Sequence, residues 1–219
     1  MNTTDSTMPL KRKGQAQVTR EAILDSAELL FALDGFSKTT LDRIARHANL
    51  SRGAIYANFR NKGEVFDAML DRAWHPIHES LAGCTVDAAG STLCALRDVF
   101  VSAIRSLGTD DRRRRVTEIL LNKSEFVDDN ARTVELIRLN AESAIWNIKR
   151  VLRQGITQEQ LSADLDVAVI AQVIHSQFSG VVHDILRFPQ VSSLDRGLLG
   201  MTVLFTLIEK RYAKVTSDV

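Results

Sequence analysis

Residues 39–62 read TTLDRIARHANLSRGAIYANFRNK, and this stretch decides how the N-terminal region folds. Its apolar residues recur at helical spacing and predict two short helices, the first carrying Ile44 and the second carrying Ile55 and Phe59 on a buried side. A tight turn between such helices needs one residue near the left-handed region, and Asn49 tolerates that backbone better than any residue except Gly. The spacing therefore predicts a helix-turn-helix.

Polar residues at the predicted helix starts support this interpretation. Thr39 or Thr40 is expected to cap the first helix, and Asp42 stands three residues after Thr39, as in a capping box. Ser51 is expected to cap the second helix, because its side-chain oxygen can accept a hydrogen bond from a free backbone N–H group of the first turn.

The outward side of the second helix carries residue types that suit a DNA groove. Arg52 can donate two hydrogen bonds to guanine, and the small Gly53 lets the helix backbone approach the bases. Hydroxyl, amide and ammonium groups suit phosphate contacts that fix register. The predicted DNA-binding residues are Thr39, Thr40, Ser51, Arg52, Gly53, Ala54, Tyr56, Asn58 and Lys62. A helical hairpin without a nucleic-acid partner is the alternative.

Helical periodicity continues through the rest of the chain, and no run of alternating β-branched residues between turns predicts a strand. We therefore expect an all-α protein of about nine helices. Pro76 is expected to bend or end the fourth helix, and Gly155 to end the seventh. The helices outside the helix-turn-helix are predicted over about 19–34, from 61 or 62 to 83, from after Gly90 to about 108, over 112–125 and 129–153, from 162 or 164 to 187, and over 193–213.

Charge divides the chain into a basic head and an acidic body. Residues 1–62 hold 10 Lys and Arg against 6 Asp and Glu, whereas residues 63–219 hold 18 against 21. Such a balance suits contact with a polyanion through the first segment. The predicted organisation is a flexible basic tail over 1–18, a helix-turn-helix domain over 19–62 and a larger helical domain over 63–219.

The last two predicted helices are apolar on more than one side. A helix of this kind is buried by more than one neighbour, so we expect a homodimer that forms through these two helices. The string Arg112–Arg115 looks like a nucleic-acid patch, but helical geometry spreads it around the helix and neighbouring carboxylates offset it, so a solvated face is expected.

Several classes of protein are excluded or disfavoured by the sequence. With 45% hydrophobic and 25% charged residues, the chain is an ordinary globular one. It has neither an apolar stretch of about 18 to 20 residues nor a secretory leader, so it should be cytoplasmic, with Cys84 and Cys94 reduced. No nucleophile with a base, phosphate loop or metal-ligand spacing is present, so we expect no enzyme, cofactor, metal or membrane partner.

Two stretches carry a resemblance to a known family. Residues 19–70, TREAILDSAELLFALDGFSKTTLDRIARHANLSRGAIYANFRNKGEVFDAML, strongly resemble the N-terminal DNA-binding domain of the TetR family of transcriptional regulators. Asn49 departs from the Gly that is usual there, and Ala57 from a common aromatic. Residues 110–129, DDRRRRVTEILLNKSEFVDD, are similar to the corresponding stretch of AcrR-type regulators, the branch that controls multidrug efflux pumps.

The resemblance implies a function for the body of the chain. It implies a homodimeric repressor of a multidrug efflux operon, bound to a palindromic double-stranded DNA operator and released when a small apolar or cationic compound fills a cavity. A ligand-independent DNA-binding regulator or architectural protein of the same fold is the alternative. The expected ligand-binding residues, each of which could instead be plain core, are Trp74, Phe100, Thr117, Leu121, Trp146, Phe178, Ser179 and Val182.

Overall fold

A computed structural model describes residues 8–85, 91–122 and 131–214. Within the helices, the description does not include the side chains of residues 8–13, 75, 122 and 131–133. These described ranges are almost entirely helical and contain no strand, only an isolated antiparallel bridge between Leu161 and Ala213. The expectation of an all-α fold is confirmed.

Nine helices occupy the described ranges, in the order expected from the sequence. They are α1 (Met8–Asp34), α2 (Leu41–His47), α3 (Arg52–Tyr56), α4 (Lys62–Ala82), α5 (Thr92–Thr109), α6 (Asp111–Asn122), α7 (Ala131–Thr157), α8 (Val167–Arg187) and α9 (Leu194–Tyr212). The predicted end of α6 near residue 125 and the predicted start of α7 near residue 129 lie outside the described residues.

The first helix begins well before the expected start at Thr19. Residues 8–18 belong to α1, so their assignment to a tail is wrong, whereas residues 1–7 lie outside the described residues. Pro9 falls in the first turn of α1, where proline is tolerated because its missing N–H group would have no helical partner. Thr19 sits within the helix, and its hydroxyl donates a hydrogen bond of 3.0 Å to the carbonyl oxygen of Gln15.

Two residues expected to interrupt helices do not end them. The fourth helix passes through Pro76 to Ala82, with Gly83 just beyond its end as expected. The seventh helix passes through Gly155 to Thr157. A Cβ atom at residue 155 would lie 2.5 Å from Oγ1 of Thr92, so this glycine allows the start of α5 to approach α7 closely.

The eighth helix starts at Val167, later than either predicted start. Asp166 is its N-cap, because one carboxylate oxygen accepts hydrogen bonds from the backbone N–H groups of Ala168 and Val169, at 3.0 and 3.1 Å. Ser162 and Asp164, the expected starts, precede this helix. Its predicted end at Arg187 is confirmed.

The chain folds as two compact units. The described part of the first unit consists of the residues up to Arg72 together with the first residues of α7, 131–133. The described part of the second unit lies within residues 73–122 and 134–214. The border within α4 lies beyond the one expected after Lys62, because this first stretch of α4 still belongs to the core of the first unit. Val65, Phe66, Met69 and Leu70 are all fully buried.

Three aromatic rings form the centre of the first unit. Phe31 lies 5.5 Å from Phe36 and 5.6 Å from Phe66 between ring centroids, and Phe36 lies 5.5 Å from Phe66. Two of the three contacts are edge-to-face, the arrangement that the charge distribution of aromatic rings favours. The three rings join α1, the loop after it and α4.

An ion cluster also joins α4 to α1 within the first unit. The guanidinium of Arg72 lies 2.7 Å from a carboxylate oxygen of Glu21, 2.8 Å from Asp25 and 3.2 Å from Glu28. The side chain of Arg72 is 15% exposed and that of Glu28 only 2%. Since burial of a carboxylate is costly unless it is paired, the ion pair with Arg72 stabilises the buried Glu28.

The second unit is a helical body in which α5 packs against α9 and α6, and α8 packs against α9 and α6. Gly197 on α9 is buried, and a Cβ atom there would lie 2.7 Å from side-chain atoms of both Val181 and Ile185 on α8. From α7, Arg150 donates hydrogen bonds of 2.8 to 3.1 Å to the carbonyl oxygens of Leu81, Ala82 and Cys84. This arginine therefore satisfies the free carbonyl groups at the end of α4.

Removing the cation of the Arg72 cluster should destabilise the first unit. We expect Arg72→Met to lower the free energy of unfolding by about 1 to 3 kcal/mol, because the buried carboxylate of Glu28 loses its ion pair with Arg72. Urea denaturation followed by circular dichroism measures this change. The control is Arg43→Met, which removes a more exposed ion pair with Asp34 and should cost less than about 1 kcal/mol. Equal effects of both substitutions would contradict the prediction.

Candidate DNA-binding surface and ligand cavity

The first helix of the helix-turn-helix is capped by Thr40. Its hydroxyl oxygen accepts a hydrogen bond of 3.3 Å from the backbone N–H group of Arg43. Thr39 is fully buried, and its hydroxyl donates a hydrogen bond of 2.7 Å to the carbonyl oxygen of Gly35. The expected capping box from Thr39 to Asp42 is therefore wrong. The expected DNA contact of Thr39 is also wrong, because this residue has no exposed surface.

The turn between the two helices has the expected backbone. Asn49 has a φ of 54°, in the left-handed region, and the N–H group of Leu50 donates a hydrogen bond of 2.9 Å to the carbonyl oxygen of Ala45. Ser51 caps α3 by accepting a hydrogen bond of 3.1 Å from the N–H group of Ala54. Phe59, expected on α3, follows the helix but is still buried beneath it.

Most of the remaining predicted DNA-binding residues lie on the surface. The exposed ones are Thr40, Ser51, Arg52, Gly53 and Tyr56, and Ala54 is half-buried. Nε of Arg52 lies 2.9 Å from a carboxylate oxygen of Asp42, and its guanidinium lies 5.8 Å from the ring centroid of Tyr56. The Arg52 side chain is 73% exposed, so water screens this ion pair.

Asn58 and Lys62 are half-buried and contact the protein itself. The amide nitrogen of Asn58 donates a hydrogen bond of 2.9 Å to the carbonyl oxygen of Ala54. The ammonium group of Lys62 donates hydrogen bonds to the carbonyl oxygens of Phe36 and Ser37, at 2.9 and 3.2 Å, and lies 4.4 Å from the centroid of the Phe36 ring. These contacts hold the loop after α1 in place, and phosphate binding by Asn58 and Lys62 stays a prediction.

The second unit encloses a cavity of about 240 Å³ among α4, α5, α6, α7 and α8. Its walls are mainly apolar, and Phe100 and Phe178 pack against each other within it, with ring centroids 5.1 Å apart. The lining residues expected from the sequence are Trp74, Phe100, Thr117, Leu121, Phe178, Ser179 and Val182. The others are Ile77, His78, Leu81, Ala103, Leu107, Arg113, Leu120, Ile137, Asn140, Ala141, Ala144 and His175.

Trp146 does not line the cavity, contrary to expectation. Its side chain is 61% exposed on α7. The cavity side of α7 carries Ile137, Ala141 and Ala144, at spacings of four and three residues. Trp146 follows Ala144 by two residues, a rotation of about 200° that places it on the opposite side of the helix.

Arg113 is the main lining residue that the sequence analysis missed. Within the string Arg112–Arg115, expected to form a solvated face, Arg113 is half-buried and lines the cavity. Arg113 precedes Thr117, which was expected in the cavity, by one helical turn. This spacing is the sequence signal that could have identified Arg113 as a lining residue. His175 also lines the cavity, and burial lowers the pKa of its imidazole.

No helix within the described residues is long and apolar enough to cross a bilayer. In the same part of the chain, no three His, Cys, Asp or Glu side chains come together as a group that could hold a metal ion.

The chain combines a helix-turn-helix, whose second helix is exposed, with a separate helical unit that contains an apolar cavity. These two features define the class of helix-turn-helix transcriptional regulators. Residues 23–69 match the bacterial regulatory proteins of the tetR family, and residues 91–197 match the C-terminal region of MAATS-type transcriptional repressors. The chain belongs to the TetR family. The members of this family are transcriptional regulators rather than enzymes.

Individual relatives agree with this assignment. The transcriptional regulator AcrR of Shigella flexneri is 32% identical over 189 residues, which cover 86% of this chain and 88% of AcrR. The transcriptional regulator TtgR of Pseudomonas putida is 34% identical over 191 residues, covering 83% and 87%. SmeT, the repressor of the Stenotrophomonas maltophilia multidrug efflux pump SmeDEF, is 29% identical with a TM-score of 0.77, covering 93% and 95%. The resemblance to AcrR-type regulators is confirmed.

Removal of the Arg52 guanidinium should weaken specific DNA binding. We expect Arg52→Ala to reduce affinity for the DNA immediately upstream of the protein's own gene by about tenfold, and its preference over random DNA by a similar factor, which is the effect of losing an arginine that contacts a base edge. Fluorescence anisotropy at two salt concentrations measures both quantities. The control Arg105→Ala, an exposed position on α5, should leave affinity unchanged. An unchanged preference in the Arg52 variant would show that this residue reads no base.

Proposed function

We propose that this protein is a ligand-responsive transcriptional repressor of a multidrug efflux operon. It would act in the cytoplasm as a homodimer on a palindromic operator, and leave the DNA when a small compound enters the cavity. The observation that carries this proposal is the presence, in one chain, of the exposed Arg52 and Tyr56 surface on α3 and the apolar cavity of the second unit. The similarity to SmeT, described as a repressor of an efflux pump, supports the choice of operon.

The operator geometry follows from the proposed dimer. Two copies of α3 would enter successive major grooves on one side of the duplex, with half-sites about 34 to 36 Å apart or a multiple of that distance. Arg52 would read a base edge, while Thr40, Ser51 and Tyr56 would contact phosphates and fix the register of the helix. A symmetric dimer requires a palindromic operator.

Release of the operator would depend on α4. Its residues Trp74, Ile77, His78 and Leu81 line the cavity, while its first residues belong to the first unit. A compound that binds one conformation of α4 better than another shifts the protein toward that conformation. If DNA binds the other conformation, the compound lowers the affinity of the protein for DNA. By linkage, bound DNA lowers the affinity for the compound by the same factor.

The proposed dimer interface is the outward side of α8 and α9. Val169 and Val173 on α8, and Leu199, Val203 and Leu207 on α9, are 41% to 63% exposed. Each set repeats at a spacing of four residues and so forms an apolar stripe along its helix. Two such stripes on adjacent helices suit a self-complementary interface of the kind that symmetric dimers use.

An apolar compound fits the cavity better than a cation does. The lining, all of it within the described residues, includes the aromatic rings of Trp74, Phe100 and Phe178 but no Asp or Glu side chain. A cation would therefore lose its hydration without gaining a carboxylate partner. The ligand-independent regulator of the same fold remains the second candidate, since a cavity of about 240 Å³ is below the size of about 300 to 1,000 Å³ that is usual for ligand sites.

The two tryptophans allow ligand binding and operator release to be measured on the same protein. Trp74 lines the cavity, and Trp146 is exposed. SmeT has been solved in complex with triclosan, so triclosan is the first compound to test. In the Trp146→Phe variant we expect triclosan to quench the fluorescence of Trp74 at the same concentrations at which it releases upstream DNA. The Trp74→Phe variant, which keeps only Trp146, corrects for light absorbed by triclosan.

The outcome separates the two candidate functions. Parallel quenching and release support a ligand-responsive repressor. Tight DNA binding that neither triclosan nor a panel of apolar compounds alters would favour the ligand-independent regulator. No preference for upstream DNA over random DNA would contradict both.

Charge placed on the proposed interface should separate the dimer. We expect Leu199→Glu together with Leu207→Glu to give monomers in analytical ultracentrifugation at micromolar concentration, because four carboxylates would lose hydration in the symmetric contact. Leu33→Glu is the control, since Leu33 is 79% exposed on α1, outside the proposed interface, and its variant should stay dimeric. Dimers of unchanged stability in the double variant would place the interface elsewhere.

A further inference from the structure

The cavity contains one permanently charged side chain, that of Arg113, among its lining residues in the described part of the chain. Nη1 of its guanidinium donates a hydrogen bond of 2.7 Å to the hydroxyl oxygen of Ser106. Nε is buried and has no hydrogen-bond partner. Within the described residues, no carboxylate pairs with this guanidinium.

Three other arginines of the described chain differ from Arg113 in this respect. Arg72 pairs with three carboxylates, Arg114 with Glu118 at 2.9 Å, and Arg138 with Glu135 at 2.6 Å. A guanidinium taken out of water without an anionic partner is unfavourable, and its strongest bonds are charge-assisted ones to oxyanions. Arg113 is therefore placed to bind an anion that the protein itself does not supply.

The neighbouring polar groups of the cavity do not provide that anion. The hydroxyl of Thr117 donates a hydrogen bond of 2.8 Å to the carbonyl oxygen of Arg113, and the amide nitrogen of Asn140 donates one of 2.8 Å to Leu136. Burial lowers the pKa of the His175 imidazole and so favours its uncharged form. Asp110 accepts a hydrogen bond from the backbone N–H group of Arg113 and does not line the cavity.

We propose that the cavity binds aromatic carboxylates, with the carboxylate held by the guanidinium of Arg113 and the aromatic body packed among Trp74, Phe100 and Phe178. This proposal rests on the proposed ligand-responsive function and names the class of compound. The apolar walls bury the body of the compound, and the arginine selects its charge. Neutral amides of the same shape would bind more weakly, and cations most weakly of all.

Three probes of one shape test the proposal: 1-naphthoate, 1-naphthamide and 1-naphthylmethylammonium, each titrated into the full-length protein by isothermal calorimetry at pH 7.5. We expect wild-type protein to bind the carboxylate about tenfold more tightly than the amide, as a charge-assisted hydrogen bond provides. Arg113→Gln should weaken binding of the carboxylate by about the same factor and change binding of the amide less than about threefold. The matched control Arg112→Gln alters an exposed position of the same helix and should bind the three probes with the same order of affinities as the wild-type protein.

The preference of the wild-type protein alone can overturn the proposal, so the test does not depend on the folding of a variant. Equal affinity for the three probes, tighter binding of the ammonium compound, or no binding of the carboxylate would each contradict it. A carboxylate preference that survives in a folded Arg113→Gln protein, checked by its thermal unfolding, would assign the selectivity to another group and also contradict it.

Operator binding distinguishes failure of this proposal from failure of the proposed function. The same probes are added to the complex with upstream DNA. Release by the amide or the ammonium compound, without preference for the carboxylate, would support a ligand-responsive repressor while rejecting the role of Arg113. Release by the carboxylate that disappears in Arg113→Gln, with DNA affinity of the free variant unchanged, would support both.

Discussion

The packing of α4 is the constraint on which the rest of this structure depends. One helix of 21 residues contributes Phe66 and Leu70 to the core of the first unit, and Ile77 and Leu81 to that of the second. Arg72 ties its first part to carboxylates of α1, and Arg150 satisfies the carbonyl groups at its end. Cationic contacts therefore hold α4 at its middle, through Arg72, and at its C-terminal end, through Arg150.

The sequence predicted those features that depend on short-range spacing. The turn at Asn49, the Ser51 cap and the buried Ile55 each follow from the preferences of a few neighbouring residues, and the structure has all three. The sequence left the cap of α2 open between Thr39 and Thr40, because two adjacent threonines offer the same capping chemistry, and the structure has Thr40. Only tertiary packing, which buries Thr39 against the carbonyl oxygen of Gly35, distinguishes them.

Features that depend on contacts between distant segments were harder to predict. Gly155 looked like a helix stop, but it is required by the approach of Thr92, more than sixty residues earlier in the chain. Arg113 looked solvated because a run of four arginines suggests a surface, whereas the helix turns one of them toward the cavity. Trp146 looked like an aromatic wall, yet its position two residues after Ala144 places it on the other side of α7. In each case the residue type suggested a role, but the direction in which the residue faces depends on packing that the sequence does not reveal.

The contact at Gly197 has a mechanical consequence for the second unit. With Val181 and Ile185 resting on the bare backbone of α9, the two helices mesh as a ridge in a groove, and sliding by one residue would drive a side chain into that backbone. This contact therefore opposes sliding of α8 along α9. We expect a change of shape around the cavity to involve first the helices on its other sides, α4 to α7.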